Sequence, residues 1–302
     1  MPMPDSHSHD LLITPAYRFD RLLTLLSRWR SPTVDHTVDG AFRRAFVTSR
    51  GPVLIEVQQA AKDRLRVHAL AGADADLSEL AARARWVLAL DSPLSAFWRW
   101  ADDAPDSLRA PFEPIWGLPL PRSDMVFEAL LYTIVEQQIS WVGAQRAQRI
   151  LCELAGVSIS YDGVTYWCAP EPAALAALTT ADLKPLKITD RRSGLLIRLA
   201  QEIVAGRLDL DALHKMDEPE RLAWLRAIKG IGPWTALMTH MRAFGPAQLA
   251  PSNDVALRAA VRRYLPEHAG APDPIAAAFS PYGMYAGSAA ALILSRYVID
   301  RY

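Results

Sequence analysis

Residues 225–254, LRAIKGIGPWTALMTHMRAFGPAQLAPSND, decide how the rest of the chain is read. Two apolar helical patterns meet at Ile228, Lys229, Gly230, Ile231, Gly232 and Pro233. Two glycines one residue apart let the backbone turn tightly and bring N–H groups close to a bulky anion. Pro233 suits the first position of the second helix, where no N–H is needed. The other N–H groups at that helix start point outward, a ready place for a phosphate. Gly245 and Pro246 close the second pattern. A Gly/Pro-rich stretch through Ala250 and Pro251 then leads to one acid, Asp254, about to enter another helix. An acid there also serves as a helix N-cap, with Ser252 and Asn253 competing for the place.

The chain has 302 residues, 51% hydrophobic and 22% charged, which allows one large domain or two ordinary ones with proper cores. Its 33 Lys and Arg balance its 33 Asp and Glu. No global charge draws it to nucleic acid, so any DNA contact must come from a local basic face and from backbone amides. Cys152 and Cys168 are too few for a disulfide framework or a four-cysteine iron–sulfur cluster, and they read as buried thiols. No run of about 18 apolar residues is free of charge, so no membrane span is expected. The opening MPMPDSHSHD lacks a basic region followed by an apolar one, so no secretory signal is expected there. Residues 1–12 are expected to be a disordered tail with His7 and His9 solvated, and the protein to be cytoplasmic.

Residues 17–29 read as an amphipathic helix, with Phe19, Leu22, Leu23, Leu25, Leu26 and Trp29 near 3.6-residue spacing. Short strands are expected at 33–38, 41–48, 53–57 and 64–69, punctuated by Gly40, Gly51 and Pro52. This makes an N-terminal α+β domain with an antiparallel sheet over 13–75. Residues 76–302 read as almost wholly helical, with helices at 77–90, 124–137, 142–154, 191–205, 218–227, 255–264 and 283–300. Trp167 to Pro170 is expected to be a turn between helices.

The hairpin followed by Asp254 resembles the helix-hairpin-helix of the HhH-GPD DNA glycosylases. The order of a small α+β domain and a helical body is similar to the 3-methyladenine DNA glycosylase II branch, which acts on alkylation damage. The quoted matches are Ala16 to Phe19 with Val38, Asp39 and Gly40; Phe127 to Leu130 through Glu136 to Ser140; and Leu183 and Lys184 through Arg191 to Ala200. The fold implied is mostly α with a small α+β N-terminal domain, the helix-hairpin-helix glycosylase fold. The activity implied is excision of alkylated purines from double-stranded DNA in base excision repair, by a monomer.

By that resemblance Asp254 is the catalytic acid. Trp234 stands where lyase-competent relatives carry a lysine, so the protein is expected to be monofunctional. Trp234 and Tyr282 line the base pocket, together with Met238, Val255 and Leu25, which replace family aromatics. Gln138 stands at the wedge that fills the gap left by a flipped nucleotide, with Gln137 and Ser140 beside it. Lys229, Gly230, Ile231 and Gly232 approach phosphate. The carbonyls of Ile228 and Ile231 are candidates to hold Na+ or K+, as is common in the family. Arg146, Arg149, Lys184, Lys187, Arg191, Arg192 and Lys229 are candidates for a basic face. Glu136 departs from the family pattern. Two other readings stay open at this point: a glycosylase for another purine lesion such as hypoxanthine, and a DNA-damage-binding protein without catalysis.

Overall fold

In a computed structural model, residues 8–28, 34–92 and 94–302 are described. The chain begins β1 (Ser8–Leu12), α1 (Phe19–Leu26), β2 (Asp35–Val38), β3 (Ala41–Thr48), β4 (Gly51–Ala61) and β5 (Arg64–Gly72). Helices follow: α2 (Leu77–Val87), α3 (Leu94–Asp103), α4 (Asp106–Arg109), α5 (Val126–Glu136) and α6 (Trp141–Ala155). A hairpin of β6 (Ser158–Tyr161) and β7 (Val164–Trp167) precedes α7 (Pro172–Ala176) and α8 (Asp190–Val204). Last come α9 (Glu218–Ala227), α10 (Pro233–Phe244), α11 (Val255–Tyr264), α12 (Pro274–Phe279) and α13 (Ala286–Arg301).

The elements form two units, and neither is continuous in sequence. The first takes the described residues of Met1–Ile13, Trp29–Arg85 and Ser123–Met216; the second is Thr14–Arg28, Trp86–Arg122 and Asp217–Tyr302. The boundary expected at 75/76 therefore does not separate them, and α1 belongs with helices rather than with the sheet. The tail is corrected too: residues 8–12 form β1, antiparallel to β5 with Ser8 opposite His68 and Leu12 opposite Arg64. The expected ends of the first helix at Trp29 and of the first strand at Thr33, and His7, lie outside the described residues.

In the first unit the antiparallel sheet runs β1-β5-β4-β3-β2. Residues Val53 to Val57 of β4 are all buried, without alternation, because both faces of the sheet are covered. On β3 the odd positions meet the β6–β7 hairpin: Ala45 packs with Leu54, Tyr166 and Cys168, and Arg43 donates to the Tyr166 hydroxyl at 3.1 Å. The even positions meet helices: Arg44 pairs with Glu128 of α5 at 2.6 Å, and the Arg83 guanidinium of α2 lies over the Phe46 ring at 4.4 Å. The hairpin was not foreseen. It turns at Asp162 and Gly163, both at positive φ (49° and 73°), as a two-residue connection of right-twisted strands requires.

The second unit is helical. Its core is an aromatic cluster in which Phe97 lies 5.2 Å from Phe112 and 6.0 Å from Tyr285, between ring centroids. The last helix starts at Ala286, not 283, because Gly283 takes a non-helical backbone (φ 56°, ψ −126°). Among the described residues no helix is long and apolar enough to cross a membrane.

Candidate active site

The expected hairpin is α9 and α10 of the second unit, joined by Ile228 to Gly232. Asp217 caps α9 in a capping box with Glu220, satisfying two N–H groups reciprocally. The turn closes where the Ile231 N–H donates to the Ile228 carbonyl at 3.0 Å. Gly230 sits at φ 95°, which a Cβ would strain. Gly232 is different. It is the N-cap of α10 at φ −89°, an ordinary conformation, and a Cβ there would meet nothing within 4 Å. The fold itself does not require glycine at 232, and the backbone there is open to an external group. Pro233 is the first residue of α10, as expected. Ile231 is buried at 6%, whereas Lys229 is exposed.

Asp254, not Ser252 or Asn253, is the N-cap of α11. Its Oδ1 accepts the Leu257 N–H at 2.8 Å. Its Oδ2 accepts the Trp234 indole Nε1–H at 3.1 Å. Each oxygen thus has its own donor, and the positive end of the α11 dipole favours the negative charge. Asp254 is only 8% exposed. Asn253, at φ 61°, accepts from Arg258 at 2.8 Å and turns away from the cap. The indole contact spans 20 residues and was missed: the sequence suggested Trp234 as a stacking ring, and nothing in residues 245–253 shows that the loop folds back onto it.

The other proposed pocket residues divide. Met238 is one turn beyond Trp234, on the same face of α10, and is 9% exposed. Val255, the first residue of α11, is 77% exposed. Leu25 is on the buried face of α1 at 4%. Tyr282 is the deepest of the four. It is 3% exposed, its ring packs 5.6 Å from Phe112 and 5.8 Å from Trp100, and its hydroxyl donates to the Leu108 carbonyl at 3.2 Å. Its apolar and polar parts are both engaged, and burial pushes the phenol up to about 12.

Gln137, Gln138 and Ser140 belong to the first unit, in the α5–α6 connection. Ser140 caps α6 by accepting the Gly143 N–H at 3.2 Å. Gln138 is exposed at φ 54°, a strained backbone for a residue with a Cβ. The Gln137 carbonyl accepts from the Arg192 guanidinium. Arg192 is therefore buried, at 9%, and leaves the expected basic face; Arg149 is paired with Glu153 at 3.5 Å. Arg146, Lys184, Lys187 and Arg191 are exposed. Cys152 and Cys168 are free and buried, and burial pushes their thiols up to about 12 and about 11.

No family model matches the chain. It is 33% identical over 168 residues to a DNA-3-methyladenine glycosylase of Bacillus subtilis, a match covering 56% of this chain and 55% of that relative. It is 30% identical over 259 residues to the putative DNA-3-methyladenine glycosylase YfjP of the same organism, covering 83% of this chain and 85% of the relative. The first match thus spans about half of that relative's length. Among solved structures, 3-methyladenine DNA glycosylase from Archaeoglobus fulgidus superposes with a TM-score of 0.81 at 21% identity, covering 97% of this chain and 98% of that one. The Clostridium acetobutylicum 8-oxoguanine glycosylase/lyase, solved with double-stranded DNA, superposes at 0.73 and 17% identity, covering 97% and 95%. At these identities the two structures show the fold: a helix-hairpin-helix glycosylase architecture, mostly helical with a small antiparallel sheet.

Proposed function

The chain belongs to the DNA-3-methyladenine glycosylase family, and on that premise we propose that it is a monofunctional DNA glycosylase that hydrolyses the N-glycosidic bond of alkylated purines, 3-methyladenine and 7-methylguanine, in double-stranded DNA. The observation that carries this reading is the Asp254 carboxylate, held by one donor on each oxygen at 2.8 and 3.1 Å.

The target base leaves the duplex stack at a cost of a few kcal/mol, with the α9–α10 hairpin holding backbone phosphate through its N–H groups. The open backbone at Gly232 supports this grip. As the C1′–N bond breaks, the sugar gains positive charge. Asp254, fixed in place beforehand, stabilises that charge without reorganising, and a water then adds to C1′ and gives up one proton to solvent. An N3- or N7-alkylated purine is cationic and departs neutral, so no general acid is needed. The Trp234 N–H is engaged by Asp254, and Met238 and Val255 offer no strong hydrogen-bonding group. None of these three residues reads a base edge, so excision follows the lability of the glycosidic bond. That favours cationic lesions over neutral hypoxanthine. Trp234 supplies no amine for a Schiff base, so the product is an abasic strand. At the turn, each of the Ile228 and Ile231 carbonyls has two lone pairs, and that of Ile228 keeps one beyond its 3.0 Å bond. This neutral donor pair fits Na+ or K+, which would draw phosphate to the hairpin.

Product analysis tests the reading. The protein incubated with methylated duplex should release free 3-methyladenine and 7-methylguanine and leave strands that break only after alkali. Methylated DNA that is bound but yields no free base would support the binding-protein reading instead.

A further inference from the structure

The loop that carries Asp254, residues 245–254, has no regular secondary structure, yet one residue in it is tied down on both sides. The Gln248 N–H donates to Glu218 Oε1 at 2.9 Å. The Gln248 carbonyl accepts the Gly287 N–H at 3.2 Å. Glu218 is the first residue of α9, and Gly287 the second of α13. Gly287 has to be glycine here: a Cβ would collide with the Ala247 carbonyl and lie 2.7 Å from that of Leu249. The second oxygen of Glu218, Oε2, lies 3.9 Å from Nε2 of His240, a buried residue of α10. The Glu218 side chain, only 20% exposed, thus stands between the hairpin helices and the loop. A carboxylate accepting a backbone N–H makes a charge-assisted bond, stronger than a neutral one.

We propose that Glu218 is a positioning residue for Asp254: by holding Gln248 it sets the path of the loop into the N-terminus of α11 and links the DNA-gripping hairpin to the carboxylate. It acts through the loop, six residues ahead of Asp254, and touches no substrate. The proposal rests on the glycosylase reading.

Three substitutions separate this role from others. Glu218→Ala removes the acceptor. Glu218→Gln keeps an acceptor oxygen at the same reach. Glu218→Asp keeps a charge at the start of α9 but is one methylene short. Single-turnover release of base from methylated duplex, the Kd for that duplex, and amide exchange at Gln248 are measured for each. Glu218→Ala and Glu218→Asp should slow release between roughly 10- and 100-fold, the effect of a misplacement of about 1 Å, with Kd unchanged and faster exchange at Gln248. Glu218→Gln should restore both. Where Glu218→Ala does not fold, the Gln and Asp variants carry the comparison. Glu218→Ala or Glu218→Asp releasing base at the wild-type rate overturns the proposal, and Glu218→Asp doing so alone assigns Glu218 only to the dipole of α9. A wild type that releases no base overturns the glycosylase reading and this proposal together, whereas a fast wild type with an equally fast Glu218→Ala overturns this proposal alone.

Discussion

Trp234→Phe keeps an aromatic ring at the head of α10 and removes only the N–H that meets Asp254 Oδ2 at 3.1 Å. A hydrogen bond to a charged group contributes about 1.5–3 kcal/mol, so single-turnover excision should fall by about tenfold or more while affinity for lesion DNA holds. A loss of affinity with an unchanged chemical step would assign Trp234 to stacking instead. The same residue predicts an absence of lyase chemistry. Incubation with lesion DNA and borohydride should trap no covalent adduct, and an adduct dependent on Lys229 would contradict the monofunctional assignment. At this scale the sequence showed the acid and its hairpin, because Gly, Pro and Asp mark turns and helix starts through their own backbone preferences. It did not show the Trp234–Asp254 bond or the two ties on Gln248. Both depend on the path of a loop without periodicity.

The two glycines of the hairpin separate folding from binding. Gly230→Ala strains a backbone at φ 95° and should lower stability by about 1 kcal/mol or more. Gly232→Ala should leave the fold intact, since its Cβ would enter open space at an ordinary φ. It should weaken binding to damaged and undamaged duplex alike, because phosphate contacts carry no sequence information. If only lesion DNA binding falls, the hairpin belongs to base recognition. In the first unit, α5 is fixed to the sheet by Arg44 and Glu128, both fully buried, with Asp35 2.8 Å from Arg44. Glu128→Ala leaves Arg44 buried beside a lost partner and should destabilise by about 3–5 kcal/mol in chemical unfolding; adding Arg44→Met should recover much of that. Long helices such as α5 and α11 were legible from their apolar spacing to within two residues. The β6–β7 hairpin was not, since two four-residue strands give too little alternation, although Asp162 and Gly163 are a recognised turn pair. The depth of Tyr282, packed against Phe112 and Trp100, was not legible either, because an aromatic residue reads alike in sequence whether it lines a pocket or fills a core.

Across the whole molecule, charge balance predicts that binding rests on local phosphate contacts and falls with salt for damaged and undamaged duplex alike. Stability has a pH term at His240, whose imidazole burial and the nearby Arg221 charge push down to about 4. The unfolded chain takes up that proton near pH 6.5 while the folded protein stays neutral, so this stability is complete above pH 6.5 and is lost as pH falls towards about 4. Thermal unfolding of His240→Gln should show a smaller drop over that interval than wild type. The interleaving of the two units was the least legible feature. Gly117, Pro119 and Pro121 punctuate the crossing near residue 122, but such residues also mark loops within a unit, and the crossing near residue 85 falls inside α2. The central claim is that Asp254 stabilises a positively charged sugar while alkylated purines leave. Its most direct test is single-turnover release of 3-methyladenine from methylated duplex by wild type and Asp254→Asn at saturating protein. The account predicts a loss of at least roughly 100-fold, about 2.7 kcal/mol, with duplex binding retained or tightened; release by Asp254→Asn at the wild-type rate would contradict it.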